Sequence, residues 1–271
     1  MIDIEPLSIQ FPLFSLHQPS ASTWRQLIQS NLDMSAPSVT IRSPSHVGNP
    51  PPTTARPPPI NFLTGTWHVT HSTLPMWKSN RNVRITYKPL PGSGPYAALD
   101  DLVEYQGLHS DKLKTVSGVD NATASKAAAE KKPEEGELRQ TISGLEGEWA
   151  SNWSWKWRGN GWLKFVTSEW EVLGYGEEGK QESERDWYDA GLWTKNVEAT
   201  AAANGVDATG KRWAVTYFAK TLFTPAGIDI YSRDPSGLKP ETIEAIKSAL
   251  TQHAALKDLA GKLFEVQSDK K

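Results

Sequence analysis

Between residues 63 and 233 apolar and polar side chains alternate in short runs broken by Pro, Gly and Asn, the period-two texture of half-buried antiparallel strands. Strands are expected over 63–72, 81–90, 96–107, 138–149, 152–158, 162–175, 211–223 and 228–233, with one more at 188–197. Two stretches lack the pattern. Residues 110–136 contain SKAAAEKKPEEG, rich in charge and poor in large apolar groups, so ordering them would cost more entropy than burial returns. Residues 198–210 (EATAAANGVDATG) read the same way, and both are expected as long surface loops. After the last strand, Pro240 suits a first helical position, Glu241 and Glu244 sit near the positive end of the dipole, and Ile243, Ile246 and Leu250 form one stripe. That predicts a single amphipathic helix lying on the outward side chains Ile228 and Ile230; residues 262–267 then read as a short final strand. About eight strands, a helix and a short strand is the order of a closed, eight-stranded antiparallel up-and-down β-barrel sealed on its flank.

The first 60 residues differ in texture. They hold eleven of the 19 prolines, and PPPTTARPPP at 50–59 favours an extended backbone that no central sheet accepts. Residues 1–60 are expected as a Pro-rich, largely disordered tether, with a short helix at 23–34, ahead of a barrel domain over 61–271. Composition adds exclusions. A formal charge of −2 gives no global basic field for nucleic acid or acidic membrane. The absence of cysteine removes disulfides, thiolate nucleophiles and Cys-ligated metals. Asp3 and Glu5 stand where a secretory signal carries Lys or Arg, and no apolar run reaches the ~18 residues of a membrane span, so a cytoplasmic protein is expected.

The ordered motifs carry a resemblance. FLTGTWHV at 62–69 resembles the G-x-W signature of the first lipocalin strand, LPMW at 74–77 the loop after it, and RNVRITYKPL the second strand. At the far end, IYSRDPSGLKPETIEAIKSAL resembles the last barrel strand with its Arg and the helix that follows, and LAGKLFEVQ the terminal strand. The chain thus resembles the lipocalin family of the calycin superfamily, as an intracellular cysteine-free member. The likeness is thin between residues 110 and 210, and the family's T-D-Y-like motif is replaced by DATGKRWAVTYF. It implies that Trp67 plugs the closed end of the barrel with Arg233 stacked across it, and that Gly65 permits close backbone approach.

With Trp67 inward, period two sends Val69 and His71 inward and His68 outward; Arg233 inward takes Tyr231 and Asp229 with it. A carboxylate inside an apolar cavity must be paired or protonated, so Asp229, then His71, is the candidate for ligand contact or acid–base work. Trp153, Trp155 and Trp157 in NWSWKWR share one face, and Trp213, Val215 and Tyr217 make another expected to point inward. With Tyr87, these rings would line a cavity fit for a planar or polycyclic ligand. The bland alternative is barrel core. His68 and His71 fall on opposite strand faces, so no metal is expected, and no cofactor motif is recognisable. GSG at 92–94 and GNG at 159–161 read as hairpin turns, since no helix follows them.

The leading expectation is therefore binding or carriage of a small hydrophobic or aromatic molecule. A second is a pocket enzyme, a cyclase or isomerase that holds its substrate in a reactive conformer. A third makes the tether the working part, recruiting a protein partner.

Overall fold

The computed structural model describes residues 39–47, 57–58, 60–90, 98–123, 153–179, 211–222 and 224–269. The expected strands at 138–149 and 188–197 and the helix at 23–34 lie outside them.

The described strands are β1 (Gly65–Ser72), β2 (Asn80–Pro89), β3 (Ala98–Gly107), β4 (Leu113–Thr123), β5 (Ser154–Gly159), β6 (Thr167–Glu177), β7 (Arg212–Phe218), β8 (Gly227–Ser232) and β9 (Phe264–Glu265). Each of β2 to β7 pairs antiparallel with the next, β8 pairs with β1, and β1 pairs back to β2, so eight strands close into an up-and-down barrel. Closure removes the exposed edge that an open sheet would present. Strand β9 pairs with His71 and Ser72 of β1, above the stretch 65–68 where β1 pairs with β2, and so fills the gap as those two strands diverge.

Strand β4 corrects the reading of 110–136 as loop: residues 113–123 pair along their length with β3 and, from Gly118 onward, with β5. Its inward positions, read from the register, are Val116, Gly118, Asp120 and Ala122, small or polar residues that give no apolar alternation. The bulk comes from across the sheet, where the Trp157 indole lies over Gly118 so closely that an added Cβ would sit 2.2 Å from Nε1. The first part of 162–175 is also not strand; Gly161–Leu163 forms a 3-10 turn before β6.

Two apolar clusters result. The inner one fills the barrel around Trp67, Tyr87, Trp155, Trp170, Tyr175 and Tyr231. The outer one holds Trp213, Val215, Ile228 and Ile230 under Ile243, Ile246 and Leu250 of α2 (Pro240–Thr251), as the stripe predicts. The short helix before β1 is α1 (Ile60–Leu63). Glu178 accepts from Lys239 N at 2.8 Å and Thr242 Oγ1 at 2.7 Å, placing a carboxylate at the amino end of α2. The expected single helix is two: the chain turns at His253 and continues as α3 (Ala254–Ala260), which buries Leu256.

Within the span read as tether, residues 39–47 depart from that reading, and most of the rest lies outside the described residues. Residues 39–47 run as a strap over the outside of β6, with Arg42 N donating to Leu173 O at 2.8 Å and Ile41 buried in the outer cluster. Gly174 makes room for it, since a Cβ there would meet Thr40 O at 2.5 Å. The buried Arg42 guanidinium pairs with Glu171 and donates through Nε to Val172 O at 2.8 Å.

Candidate functional site

One end of the barrel is shut by the pair that the end motifs imply. The Arg233 guanidinium lies 3.7 Å above the Trp67 ring and donates to the carbonyls of Phe62 (2.7 Å), Thr64 (2.5 Å) and Thr66 (2.9 Å). These bonds tie the end of β8 to α1 and the start of β1. The Trp67 indole N–H donates to Leu63 O at 2.8 Å. Gly65 has φ +103°, and a Cβ there would stand 2.7 Å from Arg233 Nη1, so both conformation and space call for glycine.

At the opposite end, the 3-10 turn Pro75–Ser79 inserts Trp77 into the inner cluster. There Trp77 Nε1 donates to Asp229 Oδ2 at 3.3 Å and its ring meets Tyr105 edge-on at 5.5 Å. Asp229 is buried, and its other oxygen accepts from Ser72 Oγ at 2.5 Å. Burial pushes its carboxyl up to about 7, against the opposing pull of the Ser72 and Trp77 hydrogen bonds. Asp229 thus stands inward and partnered, as the alternation requires.

His71 does not stand beside it. The register slips between Val69 and His71, because Thr70 bulges and sends its hydroxyl to Ile230 O at 3.1 Å. Every residue after the bulge changes face. His71 comes opposite the outward Ile230, and Ser72 takes the inward place opposite Asp229. Trp213 and Tyr217 are a second correction. Both lie in the outer cluster, Trp213 across Gly176 and Tyr217 stacked on His46 of the strap at 5.4 Å. Their neighbours Ala214, Thr216 and Phe218 face Tyr231, Asp229 and Gly227 in the register.

Of the remaining candidates, Val69, Tyr87, Trp155 and Tyr231 are buried in the inner cluster, and Trp153 and Trp157 are half-buried against it. Tyr87 and Trp155 both stack on the Trp170 ring, at 5.6 and 5.8 Å, so Trp170 joins the two other rings.

Two carboxyls of this interior were missed at the level of sequence. Asp101 looks exposed in the run LDDLVEY, and Asp120 falls in the stretch taken for loop. Both are buried, with Asp101 donating a proton toward Asp120. Asp120 Oδ1 accepts from Trp170 Nε1 at 2.7 Å. Burial, and then the neighbouring charge of Asp120, hold Asp101 well above the usual carboxylate range, and burial raises Asp120 to about 7. The phenols of Tyr87 and Tyr231 are pushed up by burial and remain neutral. Among the described residues, Trp155 Nε1 has no hydrogen-bond partner, Asp101 and Asp120 have for their remaining oxygens only the proton that they share, and the Tyr231 hydroxyl lies near Tyr87 and Thr216 outside good hydrogen-bond geometry. The only signal for this cluster is register: Asp101 stands opposite Tyr87, and Asp120 opposite Leu99 and Trp157. No group of three His, Cys, Asp or Glu suited to a metal occurs among the described residues. No helix there is long and apolar enough to cross a membrane.

No protein-family model matches the chain, and no curated protein does. Solved structures do. Apocrustacyanin C2 is 10% identical, with a TM-score of 0.41 over 77% of this chain and 79% of that one. Lobster apocrustacyanin A1 is 10% identical at 0.38, over 76% and 78%. A biogenic amine-binding protein is 12% identical at 0.39, over 79% and 86%. By its own strand order, and by the indole and guanidinium that shut one end, the chain is a lipocalin-like eight-stranded β-barrel protein.

Proposed function

We propose that the barrel binds a small aromatic or hydrophobic molecule carrying a polar group, with the rings of Tyr87, Trp155 and Trp170 against its flat surface and the Asp101–Asp120 pair at its polar end. The observation that carries this reading is a buried carboxyl pair and an unpartnered indole N–H beside stacked rings. A buried donor or acceptor left unpaired costs ~1–3 kcal/mol. An unpaired indole N–H next to two carboxyls in an aromatic interior suits a ligand that opens a place among the rings and supplies further bonds. A flat molecule with both a donor and an acceptor fits this chemistry; a plain hydrocarbon does not. Val69, Trp157, Asp229 and Tyr231 complete the proposed lining.

The test is quenching of intrinsic tryptophan fluorescence across a panel of planar compounds with and without polar groups. Polar aromatics are expected to quench saturably, and Asp101→Asn with Asp120→Asn to weaken them about tenfold or more. A panel that leaves the emission unchanged would reject the reading.

A second reading, a cyclase- or isomerase-type enzyme using the same interior groups, is favoured by one observation: Asp120 and Asp229 both lie near neutrality, suited to giving or taking a proton at physiological pH. Under it Asp229→Asn still binds and quenches but returns its ligand unaltered, whereas under simple carriage the wild type also returns it unaltered.

A further inference from the structure

The alternation of strands places four connecting stretches at the end of the barrel opposite Trp67 and Arg233: residues 73–79, 108–114 (its last two residues opening β4), 160–166 and 219–226. This is the end that Trp77 enters from above. Among the described residues six large apolar side chains are exposed, and five of them stand on these connections. They are Met76 and Leu113 at 44% exposure, Trp162 at 87%, Phe165 at 85% and Leu222 at 96%. Single exposed apolar residues are ordinary on a protein surface, but five on one rim are not scattered.

Charge distinguishes this rim further. Each connection carries lysine beside its apolar residue: Lys78, then Lys112 and Lys114, then Lys164, then Lys220, all exposed. Against these five lysines the four connections hold one carboxylate, Asp111, which pairs with Arg81 at 2.6 Å. These four stretches thus carry net positive charge on a chain whose formal charge is −2, with Glu265 and Asp269 of the terminal segment beside them.

We propose that this rim docks on an anionic lipid surface, Trp162, Phe165 and Leu222 entering the boundary between headgroups and acyl chains while the lysines meet lipid phosphates and carboxylates. Indole, phenyl and leucyl side chains flanked by lysine are what an interfacial anchor uses, and polybasic segments add the preference for acidic lipid. A protein partner would need a matching acidic, apolar socket; a bilayer offers both layers without a fixed shape, which suits side chains spread over four separate loops. Docking in this sense goes beyond the ligand reading and stands whether or not the interior binds anything. It would set the mouth of the barrel against the membrane.

The test is co-sedimentation of the full chain with vesicles of phosphatidylcholine alone and of phosphatidylcholine mixed with phosphatidylserine. The wild type is expected to pellet with the mixed vesicles at low salt and to be released at high salt. Brominated acyl chains should quench part of its tryptophan emission, a part lost in Trp162→Phe. The triple variant Trp162→Ser, Phe165→Ser, Leu222→Ser should bind about tenfold less or weaker, with an unchanged far-ultraviolet spectrum. Lys112→Gln, Lys114→Gln, Lys164→Gln and Lys220→Gln together should abolish the preference for phosphatidylserine. A wild type that stays in the supernatant with every vesicle overturns the proposal, as does binding that the triple variant leaves intact. Self-association in solution that the triple variant abolishes, without vesicle binding, also overturns it, by making the rim an interface between copies.

Discussion

Asp229 shows how a single buried acid makes stability depend on pH. Its ordinary value is ~3.9 when the chain is unfolded, and burial raises it to about 7 in the fold. The folded state therefore holds the proton more tightly. Stability is greatest below the unfolded value, declines as pH climbs from ~4 toward 7, and is level above that. Asp101 and Asp120 shift the same way and add to the slope. Urea unfolding is expected to give a lower midpoint at pH 8 than at pH 5. Asp229→Asn should flatten that slope by on the order of 1–3 kcal/mol across the interval, whatever it does to stability at one pH. A variant as steep as the wild type would show that Asp229 keeps its unfolded acidity. This residue was legible because it lies on a regular strand two alternations from Arg233. His71 was not, since the Thr70 bulge that reverses its face leaves no mark in an apolar–polar pattern.

Among elements, the same contrast recurs. Strands β1, β2, β7 and β8, and the helix α2, carry bulky apolar residues at regular spacing and were legible. Strand β4 was not, because its inward face is Val116, Gly118, Asp120 and Ala122, and the volume it lacks is supplied by Trp157 from β5. Facing also misled at β7: Trp213, Val215 and Tyr217 are the bulkier set, yet they meet the helix and strap while Ala214 and Thr216 turn inward. In a barrel covered on its flank, both faces of a strand are apolar, and size alone does not tell them apart. The strap was hidden by the prolines around it. It rests on Arg42, whose side chain is 2% exposed against 9% for Glu171. Arg42→Ala leaves the Val172 carbonyl without the side-chain donor and the Glu171 carboxylate without its counter-charge, held only by Ser45, a kind of loss that costs up to ~3–5 kcal/mol when a buried pair is broken. The expected outcome is a lowered urea midpoint together with faster proteolysis within 39–47, followed by mass mapping of the fragments. Cleavage there no faster than in the wild type would mean that the strap is held by Ile41 and the backbone instead.

For the whole molecule, two ends with different chemistry follow from one closed sheet. The end with Trp67 and Arg233 is tied by four hydrogen bonds and a stacked cation, and its residues can be read from both ends of the sequence. The barrel interior above it packs indoles read from NWSWKWR around two aspartates that only register brings together, which is why the sequence pointed to an aromatic interior but not to its carboxyl pair. The most direct measurement of the central claim is native mass spectrometry of the purified full-length chain. The account predicts a co-purifying small molecule, identified after solvent extraction as aromatic and polar, that is absent from a variant combining Asp101→Asn with Trp155→Phe. A wild type that carries only its own mass, before and after exposure to polar aromatic compounds, would contradict it.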